Sequence, residues 1–538
     1  MKDQVLATIR GISTHRKPYL FASLLLLSSA IAAGPQLSSA MSAGAQVRPN
    51  ILYIVADNQP ASILGAYGNP DVRTPNIDRL ANEGIRLTRV FAVHGYCSAT
   101  RATMLTGLMP SQHGVHSWLD NGKIENWPND WNPINEYRTL PYTLRTRGYQ
   151  TSLIGKWHLG HTRPPEGWFD YWVTFDGGLT PDFWSTDIND NSRTYKVEDK
   201  HSVEFFTDKA VTYLEDYDHQ RPFFLLVTFN GPYMQPPPNL GPARNPHYEY
   251  YKDKEFPSFP RNRINDRILE QLSPPYSGWY AGLARMHNDQ ASMANIASEN
   301  TMVDDGVGRL LATLKETGLE EDTLVIYTSD QGMFFGQHGF WGHPASTFPS
   351  SLYDTPMNVP FIARYPGAIK EEQVSDLLVG QYDLMPTILD LAGFGDVEIT
   401  NSPGRSFAEH LEGRELEAWP DAVYMDEEAT RAIRTDRYSY WKRLKGTGEH
   451  ELYDIEADPE QIHDLYGSLD YAEVVSELDG KLTTFFDTYS DVEYDLWRGG
   501  TVKGSTDQVR VFKSLYGEDW EEQAKTKPAF RENKGVVQ

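Results

Sequence analysis

The chain contains one thiol, Cys97, set in HGYCSATRATMLTG (His94–Gly107) with Arg101 four residues on. A single cysteine forms no internal disulfide, so Cys97 is either an inert buried thiol or a chemical reagent. If Ser98–Thr106 is helical, Cys97 lies at its amino end and Arg101 one turn along. Free backbone N–H groups beside a guanidinium make a site for a tetrahedral oxyanion. Two chemistries fit. One uses a thiolate whose pKa the helix end lowers, but enzymes of that kind carry their arginine further on, after a longer phosphate-cradling loop. The other chemically modifies the cysteine.

Other elements must bring partners to Cys97. Four β-rich runs end abruptly in polar residues: ILYIVADNQ at Asp57 and Asn58, YQTSLIGKWH at Lys156–His158, PFFLLVTFNGPY near Asn230–Tyr233, and TLVIYTSDQG at Asp330 and Gln331. Such continuous apolar runs suit buried strands of a largely parallel sheet. Between them, TPNIDRLANEG offers Thr74 as a cap, Pro75 in the first turn and Gly84 as a stop, and MVDDGVGRLLATLKETG is amphipathic up to Gly318. The alternation predicts an α/β fold, in which ligands gather beyond the carboxyl ends of the strands. The polar endings then converge on one cleft. From about Glu415, shorter strand signals and an amphipathic stretch through Leu478 and Phe485 predict a smaller C-terminal α+β domain. The tail from Asp491 wraps the surface or is partly disordered. The Pro, Arg and Tyr-rich stretch Gly231–Tyr280 has weak periodicity, and a loop of that length is usually functional or disordered.

The amino terminus reads as an export signal. Arg10, Arg16 and Lys17 precede the apolar run Tyr19–Ala33, which is short for a membrane span, and Ala43-Gly44-Ala45 offers a cleavage site before Gln46. The alternative is an uncleaved anchor. No later stretch is apolar and long enough to span a bilayer, so the mature chain is expected to be periplasmic or secreted, without membrane association after cleavage. A formal net charge of −25 argues against nucleic acid as a partner. It leaves anionic substrates open, because salt screens distant charges while a few cations in a cleft act locally. The chain has no N-x-Ser/Thr sequon, which with the lone cysteine leans toward a bacterial source.

CSATRATMLTG resembles the first signature of the type I sulfatases, C-x-P/A-x-R followed by L-T-G, in which the cysteine is oxidised to formylglycine. GYQTSLIGKWH (Gly148–His158) is similar to the second. RPNILYIVAD, TPNIDRLANEGI, YTSDQG with GQHGFWGH, VPFIARYPG, and RTDRYSYW followed by ELYDIEADPE occur in the family's order, from Arg48 to about Leu465. The resemblance implies an alkaline-phosphatase-like fold: a large mixed, mostly parallel sheet sandwiched by helices, plus the C-terminal α+β domain. The expected division is a signal peptide over 1–45, a catalytic sulfatase domain over 46–414, and a C-terminal subdomain and tail over 415–538.

The resemblance also implies a mechanism. One hydroxyl of a formylglycine hydrate at position 97 attacks sulfur and expels the alcohol, and the other helps eliminate sulfate as the aldehyde returns. It places a hard cation, Ca²⁺ or else Mg²⁺, on Asp57, Asn58, Asp330, Gln331 and an oxygen of modified residue 97. Many relatives have a second aspartate where Asn58 stands, and asparagine or histidine where Gln331 stands. Arg101 belongs to the first signature's site. Lys156 then stabilises the developing negative oxygen, and His158 holds or deprotonates the diol; alternation along an extended strand would put the two on one face. Where relatives often show proline-histidine, Pro232 is followed by Tyr233, a substrate hydrogen-bonding candidate and a poor acid near neutrality. Many relatives carry lysine where FWGH puts His343, the preferred donor of a proton to the leaving alcohol. His113 and His338 have weaker claims, with turn-stabilising roles the simpler reading.

For substrate, Trp118, Trp127, Trp131, Trp168, Trp184, Tyr248 and Tyr250 offer sugar-covering faces or core packing, and Arg244, Arg261, Arg263 and Arg267 offer cations for carboxylates or sulfates. A sulfated carbohydrate or polysaccharide fragment is expected, with a formylglycine-generating maturation enzyme as a further partner. The rivals are a phosphate or phosphonate ester hydrolase on the same scaffold and a noncatalytic binder of sulfated glycans.

Overall fold

Strands buried on both faces set the centre of the molecule. In β1 (Asn50–Asp57) every residue is buried, and its alternating side chains feed opposite cores: Ile51, Tyr53 and Val55 enter one, Leu52, Ile54 and Ala56 the other. The computed structural model describes residues 48–520 except 120–123, 125, 126, 129, 130, 273–276, 348, 505 and 507. The expected signal peptide, its cleavage site and the last residues of the tail lie outside the described residues.

The remaining strands of the main sheet are β2 (Ile85–Phe91), β3 (Gln150–Gly155), β4 (Tyr171–Phe175), β5 (Ser185–Asp190), β6 (Arg193–Glu198), β7 (Phe223–Pro232) and β8 (Thr323–Ser329). After the short pair β9 (Phe334–Phe335) and β10 (Trp341–Gly342) come β11 (Asn358–Arg364) and β12 (Gln373–Gly380). The order β12-β2-β11-β8-β1-β7-β3-β4-β5-β6 makes a ten-stranded sheet. Its centre, β8-β1-β7-β3-β4, is parallel, while β11 and the β4-β5-β6 edge run antiparallel. Helices cover both faces. α1 (Pro75–Asn82), Ser202–Glu215 and Gln290–Glu316 pack on the core of Leu52, and α2 (Cys97–Thr106) with Leu384–Leu391 on the core of Ile51.

β13 (Ala422–Glu427), β14 (Thr430–Thr435), β15 (Tyr438–Arg443) and β16 (Glu451–Asp454) form a four-stranded antiparallel sheet backed by the helix Ala472–Tyr489. Residues Val47–Gln538 nevertheless cluster as a single unit, and the tail is tied in: Lys503, fully buried, donates to Glu136 and to the Pro133 carbonyl, each at 2.8 Å. The long stretch after β7 contains the short helices Tyr248–Tyr251, Asp266–Glu270 and Ser277–Met286. Among the described residues, no helix is long and apolar enough to cross a membrane.

One local expectation fails. β3 ends at Gly155, before Lys156. Gly155 has φ 120°, and a Cβ there would stand 1.9 Å from the Thr228 carbonyl oxygen, so the chain turns at this close approach to β7. His158 adopts left-handed backbone at φ 57°. Strand alternation therefore does not orient Lys156 and His158.

Candidate active site

The polar run endings meet where the central strands finish. Asn58, just past β1, takes left-handed backbone (φ 66°) and donates its N–H to Asp330 Oδ1 at 2.9 Å, and the Gln331 N–H reaches the same oxygen at 2.9 Å. Tyr233, just past β7, donates its N–H to the Asp57 carbonyl at 3.0 Å. The ends of β1, β7 and β8 are thus tied together through the main chain.

α2 supplies the next group. Tyr96 is its N-cap, Cys97 its first residue, and Gly107, in left-handed backbone, ends it. All ten residues of α2 are buried, so Arg101 cannot reach solvent and must find partners inside. It donates to Asp330 Oδ2 from Nε at 3.0 Å and from a terminal nitrogen at 2.8 Å, and to the Lys156 carbonyl at 3.0 Å. Lys156 Nζ bridges both oxygens of Asp57 at 2.8 and 2.7 Å. Two carboxylates are therefore paired with two cations. Cys97 Sγ lies 3.6 Å from Asp57 Oδ1 and 3.5 Å from Asn58 Oδ1, and accepts from Gln331 Nε2 at 3.0 Å.

Burial shapes the protonation states. It pushes the Cys97 thiol well above its ordinary range, outweighing Lys156 and Arg101. The helix end does not outweigh burial here, and burial disfavours a thiolate. Burial pushes Asp57 up to about 7, with the Asp330 charge adding to it and Lys156 and Arg101 opposing. Burial acts on Asp330 too, but Arg101, Lys156 and the Asn58 N–H outweigh it and hold that carboxyl below its usual range.

The residues fit a hard divalent cation. Ligand atoms of Asp57, Cys97 and Asp330 lie within 4.8 Å of one another, all buried, and Asn58 Oδ1 faces the same point. Gln331 turns its amide nitrogen to Asn58 Oδ1 and Cys97 Sγ, while its Oε1 is 3.2 Å from Thr100 Oγ1. Rotating that amide by half a turn puts an oxygen among the other donors. A dication would also favour ionised Asp57, reversing the effect of burial.

His343 lies at the same site. Its Nδ1 is 2.7 Å from the carbonyl oxygen of Gly95, two residues before Cys97. A carbonyl only accepts, so Nδ1 carries the proton and Nε2 of the neutral ring is an acceptor. Burial first, then the charges of Lys156 and His94, lower its pKa to about 3, against Asp330. The expected leaving-group acid is therefore held in its neutral form, because the Asp330 charge does not offset burial. Tyr233 is buried with its ring centroid 5.2 Å from Lys156 Nζ, and burial raises its phenol well above the ordinary value. His158 packs on Gly178, where a Cβ would stand 2.4 Å from the imidazole.

His338 stacks on Tyr353 at 3.7 Å and His113 contacts Thr103 at 3.1 Å, both in packing roles. Trp127, Trp131 and Trp168 are buried in the core, leaving Trp118 and Trp184 partly exposed. Arg261 pairs with Gln290 and Arg263 with Asp266.

Sequence reasoning missed a supporting layer. Gln59 donates to Asn300 at 2.8 Å, and Gln381 Nε2 donates to the Asp330 carbonyl at 2.5 Å. Glu427, at the end of β13, accepts the Gly95 N–H at 2.6 Å and lies 2.8 Å from His94 Nδ1. A Cβ on Gly95 would meet Pro344 at 2.8 Å and Glu427 at 3.1 Å. Gln59 directly follows Asn58 and could have been suspected. Glu427 is 332 residues from Gly95, and no local pattern points to it.

A mixed sheet between helices, with two carboxylates and the amino end of α2 at its carboxyl edge, marks a member of the alkaline phosphatase superfamily. The Sulfatase family model matches residues 49–394, and the model for the C-terminal region of N-sulphoglucosamine sulphohydrolase matches residues 336–487. The chain belongs to the type I sulfatase family and is a sulfuric ester hydrolase; that family generally uses formylglycine and a divalent metal. It is 28% identical to the N-acetylglucosamine-6-O-sulfatase of Bacteroides thetaiotaomicron, covering 88% of this chain and 92% of the relative. It is also 28% identical to the ulvan-active sulfatase of Formosa agariphila, covering 81% of this chain and 80% of the relative. A solved structure in complex with its substrate D-glucosamine-2-N,6-O-disulfate aligns with TM-score 0.64 at 26% identity, covering 82% of this chain and 98% of the other. The phosphonate monoester hydrolase of Agrobacterium radiobacter shares the fold at TM-score 0.64 and 22% identity, over 83% and 97% of the two chains.

Proposed function

We propose that the chain is an exported sulfatase that removes sulfate from a sulfated carbohydrate, with Cys97 converted to formylglycine and a divalent cation, Ca²⁺ or Mg²⁺, beside it. One observation carries the reading. The position 97 side chain is the only thiol of the chain, is buried against Asp57, Asn58 and Gln331, and is disfavoured as a thiolate. Such a cysteine is useless as it stands and well placed once modified. Because α2 is wholly buried, the maturation enzyme acts before folding closes over Cys97. The sugar class rests on relatives named for N-acetylglucosamine 6-sulfate and ulvan and on the disulfated glucosamine bound in a structural neighbour.

The catalytic region is assigned to 46–414 and the C-terminal subdomain to 415–538, with residues 1–45 as the export signal. Asp57, Asn58, Asp330 and Gln331, with an oxygen at position 97, would hold the cation. Formylglycine and the cation together supply a hydrated aldehyde acidic enough to act as nucleophile. Arg101 keeps Asp330 ionised and oriented. Lys156, bound to Asp57 in the resting site, offers its charge to the oxygens of the incoming sulfate ester. His158, packed against Gly178, would orient or deprotonate the nucleophile. Tyr233 lines the same wall, against Lys156. His343 would protonate the leaving alcohol: the substrate's negative charge favours the imidazolium and lets Nε2 take up the proton that it then donates.

The test is a comparison of sulfate, phosphate and phosphonate esters with one enzyme preparation. A clear preference for sulfate esters supports the proposal, and a preference for the phosphorus esters overturns it in favour of the superfamily's other chemistry. Replacing His343 by alanine should cut turnover of a sulfated sugar while sparing 4-nitrophenyl sulfate, whose leaving group needs little protonation. Equal losses on both remove the acid role.

A further inference from the structure

The loop after β4 touches the site and then leads away from it. Gly178 lies against His158, and Thr180 Oγ1 is 3.4 Å from the Asn230 carbonyl. A few residues on, Trp184 stands partly exposed just before β5. Because β5 runs antiparallel to β4, and β4 parallel to β3, Trp184 is at the end of the sheet that carries Lys156. Two strand spacings put it about 10 Å to the side of that end, and four put it roughly 19 Å from the strand that carries Asp57, so an anion held there belongs to a sugar beyond the one that loses its sulfate.

The Arg244 guanidinium carbon stands 4.5 Å from the centre of the Trp184 indole. The arginine is 60% exposed and donates to Asp199 at 3.0 Å, a carboxylate itself 84% exposed. Such a surface pair has little stabilising value and yields readily to a competing anion. The residues beneath it are buried and tightly connected. Asn245 donates to Glu299 at 2.6 Å and to Ser298 at 2.8 Å, and accepts the N–H groups of His247 and Tyr248 at 3.0 and 3.1 Å. The second oxygen of Glu299 lies 2.9 Å from His201 Nε2. His201 in turn stacks on Phe183 at 4.8 Å and meets Trp184 edge-on at 5.2 Å. Burying a carboxylate is costly. Here it fixes, from below, both chain segments that carry the exposed pair.

We propose that Arg244, held over Trp184, binds a second anionic group of the substrate, a carboxylate or further sulfate on the sugar next to the one that loses its sulfate. This rests on the sulfatase reading above. Arginine suits the task because its in-plane N–H groups match the oxygens of either anion. Asp199 occupies it in the free enzyme and is displaced on binding.

The experiment measures kcat/KM of native enzyme and of Arg244→Ala on four probes: a disulfated, uronate-containing disaccharide, its carboxyl-reduced form, its monosulfated form, and 4-nitrophenyl sulfate. Native enzyme should favour the full disaccharide over one of the two stripped forms by about 10-fold or more, the worth of a charge-assisted hydrogen bond. The form that loses the preference identifies the anion as carboxylate or sulfate. Arg244→Ala should abolish the preference through KM and leave 4-nitrophenyl sulfate unchanged, and Asp199→Ala should move KM the opposite way, by about 2-fold. Turnover of 4-nitrophenyl sulfate with no preference in native enzyme, with no turnover of the disaccharides, or with equal loss on every probe overturns this inference alone. No turnover of any sulfate ester by matured enzyme overturns the sulfatase reading and this proposal with it.

Discussion

A buried thiol, two carboxylates and two cations within contact distance make a site in which each side chain's charge depends on the next. Lys156→Met should lower kcat by roughly 100-fold or more on all sulfate esters, as loss of a preorganised donor does, and it leaves Asp57 without its closest counter-charge. Cys97→Ala should abolish turnover with the thermal midpoint nearly unchanged, which steady-state kinetics and a melting curve check together. Removing divalent ions with a chelator should stop the reaction and lower the melting temperature, both restored by Ca²⁺ or Mg²⁺, because an ion that binds only the folded site stabilises it by mass action. The motif residues Asp57, Asn58, Cys97, Arg101, Asp330 and Gln331 were legible because each stands in an unbroken signature or at an abrupt end of an apolar run. The proton state of His343 was not. It depends on a carbonyl at Gly95 and on burial by elements distant in sequence, neither of which spacing encodes.

Between elements, tight approaches set the geometry. Gly178→Ala should drive a methyl group into the His158 ring and add the strain of a left-handed backbone, since φ there is 98°. We expect a fall in kcat larger than the accompanying loss of stability predicts, read from kinetics and melting of the same protein. Glu427 couples the C-terminal sheet to the turn that leads into Cys97, through Gly95 and His94. Glu427→Ala should cost roughly 10-fold in kcat on sugar and aryl substrates alike, as loss of a supporting hydrogen-bond partner does. Glu427→Gln, which can still accept from Gly95, should recover part of it. The parallel strands could be read from their apolar runs, which periodicity marks well when both faces are buried. The turn at Gly155 could not, because its cause is the carbonyl of Thr228 on another strand.

For the molecule as a whole, one core histidine ties stability to pH. His116 is buried and has its pKa lowered by burial to about 4, with its Nε2 2.9 Å from the Tyr494 carbonyl. The unfolded chain takes up that proton near pH 6.5, so between about 6.5 and about 4 the unfolded state binds more protons and stability falls with pH, by about 3 kcal/mol for a group so shifted. Chemical denaturation of native protein and of His116→Gln, which keeps a donor toward Tyr494, should differ across that range by this contribution, the native protein losing more stability as the pH falls. The charge of −25 gives the surface little general attraction for polyanions, so recognition of a sulfated chain falls to local cations. The account stands or falls on the side chain at position 97. Mass spectrometry of the peptide that carries it, taken from fully active native protein, should find the aldehyde or its hydrate, and an intact cysteine thiol in that active material would contradict it.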